Sequence, residues 1–385
     1  MALATTILSA IGILLTSFES ILTAIFRRRR RFFAGGLRSQ AVPIPFFRPA
    51  VSILKPLCGL EDDLERNLES FLHIEGIDHE VLLSVADPQD PAVAVAQRVL
   101  QRFPSAPFRL IVGGDPALER GNRKVARLIT AARYARGEIL FISDSNIRVE
   151  PQDIADTVAA FRDPRVGCVS NLFTAAGATS FGATMESLHL LSFVVPGNVL
   201  AAFGRVPCVV GKSMAISAAA LRAIGGFEAF ANVLAEDQAI GLAVRRAGYH
   251  VILSPTVVRN VVVDRTLRRA LDRQIRWNKI RFAFSKAMYS SEFLLNPLPF
   301  AILAAVFGAP LSMALLTAVV RIAQVALVAA ATNAQMSLRQ LLLVPLLDIL
   351  QFGAQFVPYV EDRVTWRGYT ARLGPQTVLL DVAAA

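Results

Sequence analysis

Apolar residues are distributed along this chain in two ways: long unbroken runs near both ends, and short runs in the middle. Residues 2–26 are apolar apart from a few Ser and Thr and Glu19. A run of about 25 residues spans a hydrocarbon core of ~30 Å, so 1–26 is expected to form an N-terminal transmembrane helix. Five arginines, residues 27–31, follow at once. A secretory signal peptide carries its charge before the apolar run. The arginines are therefore expected to stay on the cytoplasmic side, with the N-terminus outside. A second tract, 293–331, is long enough for two crossings, with Gly308-Ala309-Pro310 as the break. Arg321 interrupts its second half, so that pass is expected to be tilted, short, or pointed at protein rather than lipid. A third run, 341–360, carries Asp348, Gln351 and Gln355 at spacings that share one helical face. It could span with that face inward or lie in the interface. A C-terminal membrane segment of two or three helices is thus expected over 293–360, followed by a charged tail over 361–385.

The middle reads differently. Short runs rich in Val, Ile and Leu at 51–57, 80–86, 109–113, 139–143, 167–171 and 208–216 predict strands. Helices are expected between them at 64–72, 91–103, 122–135 and 151–161, with Pro91 suited to a first helical turn. This alternation predicts an α/β domain over 50–285 with a mostly parallel sheet and helices on both faces. Residues 27–49 read as a basic juxtamembrane linker. Residues 181–203 are unusually apolar, and are read either as an interfacial channel for an apolar substrate or as ordinary core.

Composition sharpens this picture. Of 385 residues, 54% are hydrophobic and only 18% charged. Soluble domains carry about 25% charged residues, so neither a purely soluble nor a disordered chain fits. The net charge of +10 is concentrated next to apolar runs, which favours a membrane surface over nucleic acid as partner. Cys58, Cys168 and Cys208 have no metal-site spacing and no disulfide framework.

In an open α/β sheet, ligands sit beyond the carboxyl ends of the strands. Four clusters lie there. Asp87 ends the second strand and can accept from a base or ribose, whereas Asp90 suits a helix N-cap before Pro91. Gly121-Asn122-Arg123-Lys124 opens a helix and could hold a diphosphate, or be a solvated basic turn. Asp144 ends the apolar strand at 139–143. A carboxylate there needs donors or a cation; Mg²⁺ or Mn²⁺ shared with a diphosphate would serve, and an Asx turn is the structural alternative. Glu236-Asp237 open a helix, where the dipole favours acids and where a base could be held. Further on, Arg273-x-x-Arg276-Trp277 offers a cationic fork beside an aromatic plane, suited to a diphosphate or to a membrane-interface belt.

Taken in order, Asp87, Asp144, Asp237 and Arg273-x-x-Arg276-Trp277 resemble the ceramide glucosyltransferase family, membrane-bound relatives of the processive polysaccharide synthases. Ile53-Leu54-Lys55-Pro56-Leu57, Asn122-x-Lys124, residues 143–149, Gly225-Gly226-Phe227, Ala235-Glu236-Asp237 and Trp366-Arg367-Gly368 match the same pattern. The resemblance implies a GT-A-type nucleotide-sugar-binding mixed sheet with flanking helices, plus N- and C-terminal transmembrane helices. It also implies a UDP-sugar donor, a divalent cation (Mg²⁺ or Mn²⁺), inversion at the anomeric carbon, and ceramide as the lipid acceptor, with glucose as the sugar. By the same resemblance, Asp87 contacts uridine, and Asn122 and Lys124 lie near the nucleotide. Asp144 holds the metal, Asp237 is the general base, and Arg273, Arg276 and Trp277 serve the diphosphate and lipid head. The setting implied is a multi-pass membrane protein, its catalytic domain cytoplasmic, in a bacterial inner membrane. Two departures stand out. A fuller Asp-x-Asp motif would put an acid where this chain has Asn146, and animal ceramide enzymes carry His-Pro where it has Val195-Pro196. A hopanoid accepting N-acetylglucosamine is the alternative acceptor reaction.

Overall fold

A computed structural model of the protein describes residues 1–28, 49–366 and 369–384. Arg29–Arg31 of the basic run, linker residues 29–48 and Arg367-Gly368 lie outside the described residues. The chain forms two compact units: Met1–Arg28, Thr174–Leu200 and Val263–Ala385 make one; Arg29–Phe173 and Ala201–Val262 make the other.

The second unit is built on β1 (Val51–Pro56), β2 (His79–Val85), β3 (Phe108–Val112), β4 (Ile139–Ser143), β5 (Ile147–Arg148), β6 (Val166–Ala176), β7 (Ser213–Ser217) and β8 (His250–Val261). Their order is β3-β2-β1-β4-β7-β6-β8-β5. The strands β3, β2, β1 and β4 run parallel. Strand β7 is antiparallel to β4 and β6, and β5 is antiparallel to β8. The sheet is therefore mixed, and the mostly parallel arrangement read from the alternation holds for one half of it. Strand β8 escaped sequence reading because Pro255 sits mid-run, where proline argues against a strand.

Local chemistry explains the first half. Val51, Ile53 and Leu54 of β1, Val81 to Leu83 of β2, and Phe141 of β4 are buried. Continuous apolar strands of this kind need cover on both faces. The helix Pro91–Arg102 begins with Pro91 and is capped by Asp90, whose carboxylate accepts from Ala92 N at 2.9 Å. The same carboxylate accepts from Gly59 N at 2.9 Å, tying the loop after β1 to that helix. The helix Arg123–Ala132 packs Val125, Leu128 and Ile129 into a core with Leu54, Leu82, Ile142, Met214, Ile216 and Val244.

The first unit carries most of the long apolar helices. Among the described residues, Ala2–Arg28, Phe181–Phe203, Leu311–Ala331 and Leu338–Tyr359 are long and apolar enough to cross a membrane. Lys286–Leu295 and Pro297–Val306 would make a fifth span if read together, bent by 65°. Gly308, at φ 98°, and Pro310 break the 293–331 tract where expected. Arg321 meets protein rather than lipid. Its Nε donates to Asp348 Oδ2 at 2.9 Å and its Nη2 to Ser192 Oγ at 3.1 Å. Gln324 continues the network to Ser17 Oγ at 2.8 Å. Asp348, Gln351 and Gln355 are all buried, as their shared face predicted. Residues 361–385 are more than a charged tail: Arg363–Trp366, Tyr369–Leu373 and Leu379–Ala384 form a three-stranded antiparallel sheet.

Candidate active site

The apolar strand β4 ends at Ser143 and delivers Asp144 to the carboxyl edge of the sheet. Both carboxylate oxygens are taken up by ammonium groups. Lys124 Nζ lies 2.9 Å from Oδ1, and Lys212 Nζ lies 3.1 Å from Oδ2. Burial alone would push the Asp144 carboxyl up, but the two lysines outweigh it and hold it well below the usual carboxylate range. Asp144 is therefore charged at any working pH.

Lys124 stands in the first turn of its helix because Asn122 caps that helix. Asn122 Oδ1 accepts from Lys124 N at 2.9 Å and Val125 N at 3.3 Å. Its Nδ2 donates to Val233 O at 2.8 Å and Glu236 Oε2 at 3.0 Å. The side chain is buried and spent on these bonds, so Asn122 braces the turn. Before it, the chain runs so close to residue 231 that a Cβ on Gly121 would stand 2.3 Å from Ala231 O. Lys124 Nζ reaches Glu236 Oε1 at 2.9 Å and Gly211 O at 3.0 Å. Burial alone would lower its pKa, but the carboxylates of Asp144, Glu236 and Asp237 outweigh that and hold it above the ordinary value.

Glu236 and Asp237 open the helix Glu236–Arg246. Burial pushes Glu236 up and Asp237 adds to this, while Lys124 pulls it back; the net direction is upward. Lys124 stays charged, and Glu236 binds a proton more readily than an ordinary glutamate. Asp237 is half-buried, and backbone amides hold its carboxylate. Oδ1 accepts from Gln238 N at 2.8 Å, and Oδ2 from Gly211 N at 2.5 Å. Gly211 thus donates to Asp237 and accepts from Lys124. A Cβ there would lie 2.7 Å from Lys124 Nζ and 3.1 Å from the Asp237 Cβ, so a larger residue would push the lysine off its partners. The strand expected over 208–216 starts only at Ser213, because residues 209–211 turn to make these contacts. Gln238 fixes that turn, accepting from Val209 N at 3.0 Å and donating to Pro207 O at 2.8 Å.

Beneath Asp144, Lys55 of β1 is fully buried. It donates to Asp144 O at 2.9 Å and Ser143 Oγ at 3.2 Å, and sits 4.1 Å from the centre of the Phe71 ring. Burial brings its pKa down to about 7. Asp87 is exposed beyond β2, its Oδ1 accepting from Gln89 N at 2.8 Å. Because β2, β1 and β4 run parallel in adjacent positions, Asp87 and Asp144 stand at the same sheet edge.

Of the residues singled out from the sequence, the structure gathers Asn122, Lys124, Asp144 and Asp237 into one cluster. Arg273, Arg276 and Trp277 lie on the helix Leu267–Phe284 of the other unit. There the Arg273 guanidinium stacks 4.0 Å from the centre of the Trp277 ring, and Glu186 Oε1 holds its Nη1 at 2.9 Å. Sequence reading passed over Lys212, Gly211 and Glu186, and named Lys55 only as part of the matched run at 53–57. Lys55 alone had a usable signal, as a charge inside an apolar strand.

Among the described residues, no group of three or more His, Cys, Asp or Glu side chains could hold a metal alone. Asp144 fits a divalent cation in another way. Mg²⁺ keeps several waters and takes one or two carboxylates plus substrate phosphates. The cluster sets two ammonium groups, Lys124 and Lys212, against three carboxylates, Asp144, Glu236 and Asp237. It therefore has no surplus positive charge for a diphosphate, and a cation beside Asp144 would supply it.

A family model described as glycosyl transferase family 21 matches residues 5–379, almost the whole chain. The chain belongs to glycosyl transferase family 21. Its relatives include ceramide glucosyltransferase 1 of Caenorhabditis elegans, 28% identical over 241 residues, which is 61% of this chain and 50% of that protein. Ceramide glucosyltransferase 3 of the same organism is 26% identical over 240 residues, covering 61% and 51%. The match thus spans about half the length of each of these two relatives. Among solved structures, the mannosyltransferase PcManGT of Pyrobaculum calidifontis, in complex with GDP-Man and Mn²⁺, aligns with a TM-score of 0.51. It is 20% identical and covers 92% of this chain and 99% of its own. The likeness shows that this family-21 chain has a GT-A-like glycosyltransferase fold.

Proposed function

We propose that this chain is a membrane-bound inverting glycosyltransferase that moves glucose from UDP-glucose to the primary hydroxyl of ceramide. One observation carries the reading: Asp144 and Asp237 are tied through Lys124 and Gly211 at the carboxyl edge of the parallel strands, in a family-21 chain. The curated relatives named as ceramide glucosyltransferases support the acceptor.

A lipid hydroxyl is a weak nucleophile at neutral pH. Asp237 accepts its proton as the oxygen attacks the anomeric carbon. The bond from that carbon to the diphosphate oxygen breaks, and UDP leaves with the electron pair. Single displacement inverts the carbon with no covalent enzyme intermediate. Asp87 contacts the uridine, and Lys124 faces the departing charge. Asp144 would hold a Mg²⁺ or Mn²⁺ ion, which when bound stabilises that charge. Arg273, Arg276 and Trp277 serve the diphosphate and the lipid head. Helices long and apolar enough to cross a bilayer support a lipid acceptor, and the catalytic unit is read as lying on the cytoplasmic side of a bacterial inner membrane.

Mass spectrometry of lipids from a host expressing the chain tests this. Glucosylceramide is the expected product; a hopanoid bearing N-acetylglucosamine, without glycosylceramide, would overturn the acceptor and sugar. Asp237→Asn should lower turnover by about 10² or more while UDP still binds. Unchanged lipid modification would remove Asp237 from the base role.

A further inference from the structure

The Lys212 ammonium is seated between two side chains. It lies 3.1 Å from Asp144 Oδ2 and 2.9 Å from Asn146 Oδ1. Positions 144 and 146 are the two ends of an Asp-x-Asp pattern, here Asp144-Ser145-Asn146. Lys124 covers the other oxygen of Asp144 at 2.9 Å. Both oxygens of the one carboxylate offered to a cation thus already carry a positive partner. Asn146 is buried and accepts the same ammonium, and Asp144 N donates to Lys212 O at 3.2 Å, fixing the backbone of the lysine beside the acid. A divalent ion cannot share that seat with the ammonium, because two cations would stand within about 3–4 Å of each other in a half-buried setting.

We propose that Lys212 is a positioning residue that occupies the cation seat at Asp144 and Asn146 in the donor-free protein and moves its ammonium onto the diphosphate when the donor binds. Phosphate oxygens are the natural new partner for a lysine. Once the ammonium has changed partner, Asp144 Oδ2 is open to a divalent cation. Cation and nucleotide then bind in one coupled event. An ion without the donor meets a lysine; a donor without the ion leaves Asp144 Oδ2 without the cation that Lys212 supplied, while Lys124 stays on Oδ1. Linkage makes the coupling reciprocal: by whatever factor UDP strengthens the ion's binding, the ion strengthens UDP's. The inference rests on the nucleotide-site reading above, and adds a charge that this reading did not use.

The experiment uses the full chain purified in detergent. Mn²⁺ binding is followed by electron paramagnetic resonance with and without UDP. UDP and uridine affinities are measured by calorimetry with and without Mn²⁺. In the native chain, Mn²⁺ should bind weakly alone and at least about 10-fold more tightly with UDP. Lys212→Met should strengthen Mn²⁺ binding in the absence of UDP by about 10-fold or more. It should weaken UDP by about 10-fold, the range of a hydrogen bond to a charged group. Uridine, which has no phosphate, should bind equally to both chains. Those opposite movements are the signature, since a merely structural lysine would weaken every ligand together. If Lys212→Met binds neither uridine nor UDP, Lys212→Gln is read by the same criteria, because it removes the charge and keeps a donor for Asn146. Unchanged Mn²⁺ and UDP affinities in a variant that binds uridine would overturn the role of Lys212 and leave the nucleotide site standing. A native chain that binds neither UDP nor uridine would overturn both.

Discussion

Lys124→Met removes the charge that joins the cluster. Lys124 Nζ sits 2.9 Å from both Asp144 Oδ1 and Glu236 Oε1. Its side chain is 14% exposed and that of Glu236 is 7% exposed. Asp144 keeps Lys212 in the variant, so the loss falls on Glu236, left as a buried carboxylate facing Asp237. Removing one partner of a buried ion pair costs about 3–5 kcal/mol. The sign with pH follows. Glu236 is already raised in the folded chain, and without Lys124 it rises further. A folded pKa above the unfolded value means that the penalty is largest at high pH and fades as pH falls and the carboxyl protonates. The deficit should therefore be about 3–5 kcal/mol at pH 8 and clearly smaller at pH 5.5.

Cys168 supplies the assay. It is fully buried in the core of the same unit, and burial pushes its thiol up to about 12. It reacts only when that unit opens. In a Cys58→Ser/Cys208→Ser background, thiol labelling normalised to a model peptide at each pH reads the open fraction. At 1.4 kcal/mol per power of ten, Lys124→Met should raise it by roughly 10²-fold to several thousand-fold at pH 8. Glu236→Gln added to Lys124→Met should recover much of the loss. A deficit below about 1 kcal/mol, equal deficits at the two pH values, or no rescue by Glu236→Gln would refute the argument.

Lys55 gives a second pH signature. Its folded pKa of about 7 lies below the ordinary lysine value of 10.5, so the unfolded chain binds more protons between those values and stability should rise with pH across that window. Lys55→Met should flatten the slope in the same labelling assay, and a slope unchanged by the substitution would show that Lys55 is not its source. In the other unit, Glu186→Gln should loosen Arg273 from Trp277. In a Trp366→Phe background, acrylamide should quench Trp277 more strongly; identical quenching would mean that Glu186 does not hold the stack.

The sequence alone was enough for several features that depend on periodicity and local chemistry. Run length marked the terminal helix and the break at Gly308-Ala309-Pro310. Apolar runs ending in Asp87 and Asp144 placed both acids at strand ends, and Pro91 after Asp90 announced a capped helix. These features are set by neighbours in the chain, so reading along it suffices. Tertiary structure decided the rest. Asn122 was expected near the nucleotide; that its side chain also caps a helix and braces Glu236 came only with the fold. Nothing near Lys212 in sequence reveals that it meets Asp144, 68 positions earlier, because antiparallel pairing of β4 with β7 brings them together. Arg321 reads as a charge in an apolar run until Asp348 and Ser192 arrive from elsewhere to satisfy it. Burial and charge pairing depend on what packs opposite, and that partner is chosen by topology.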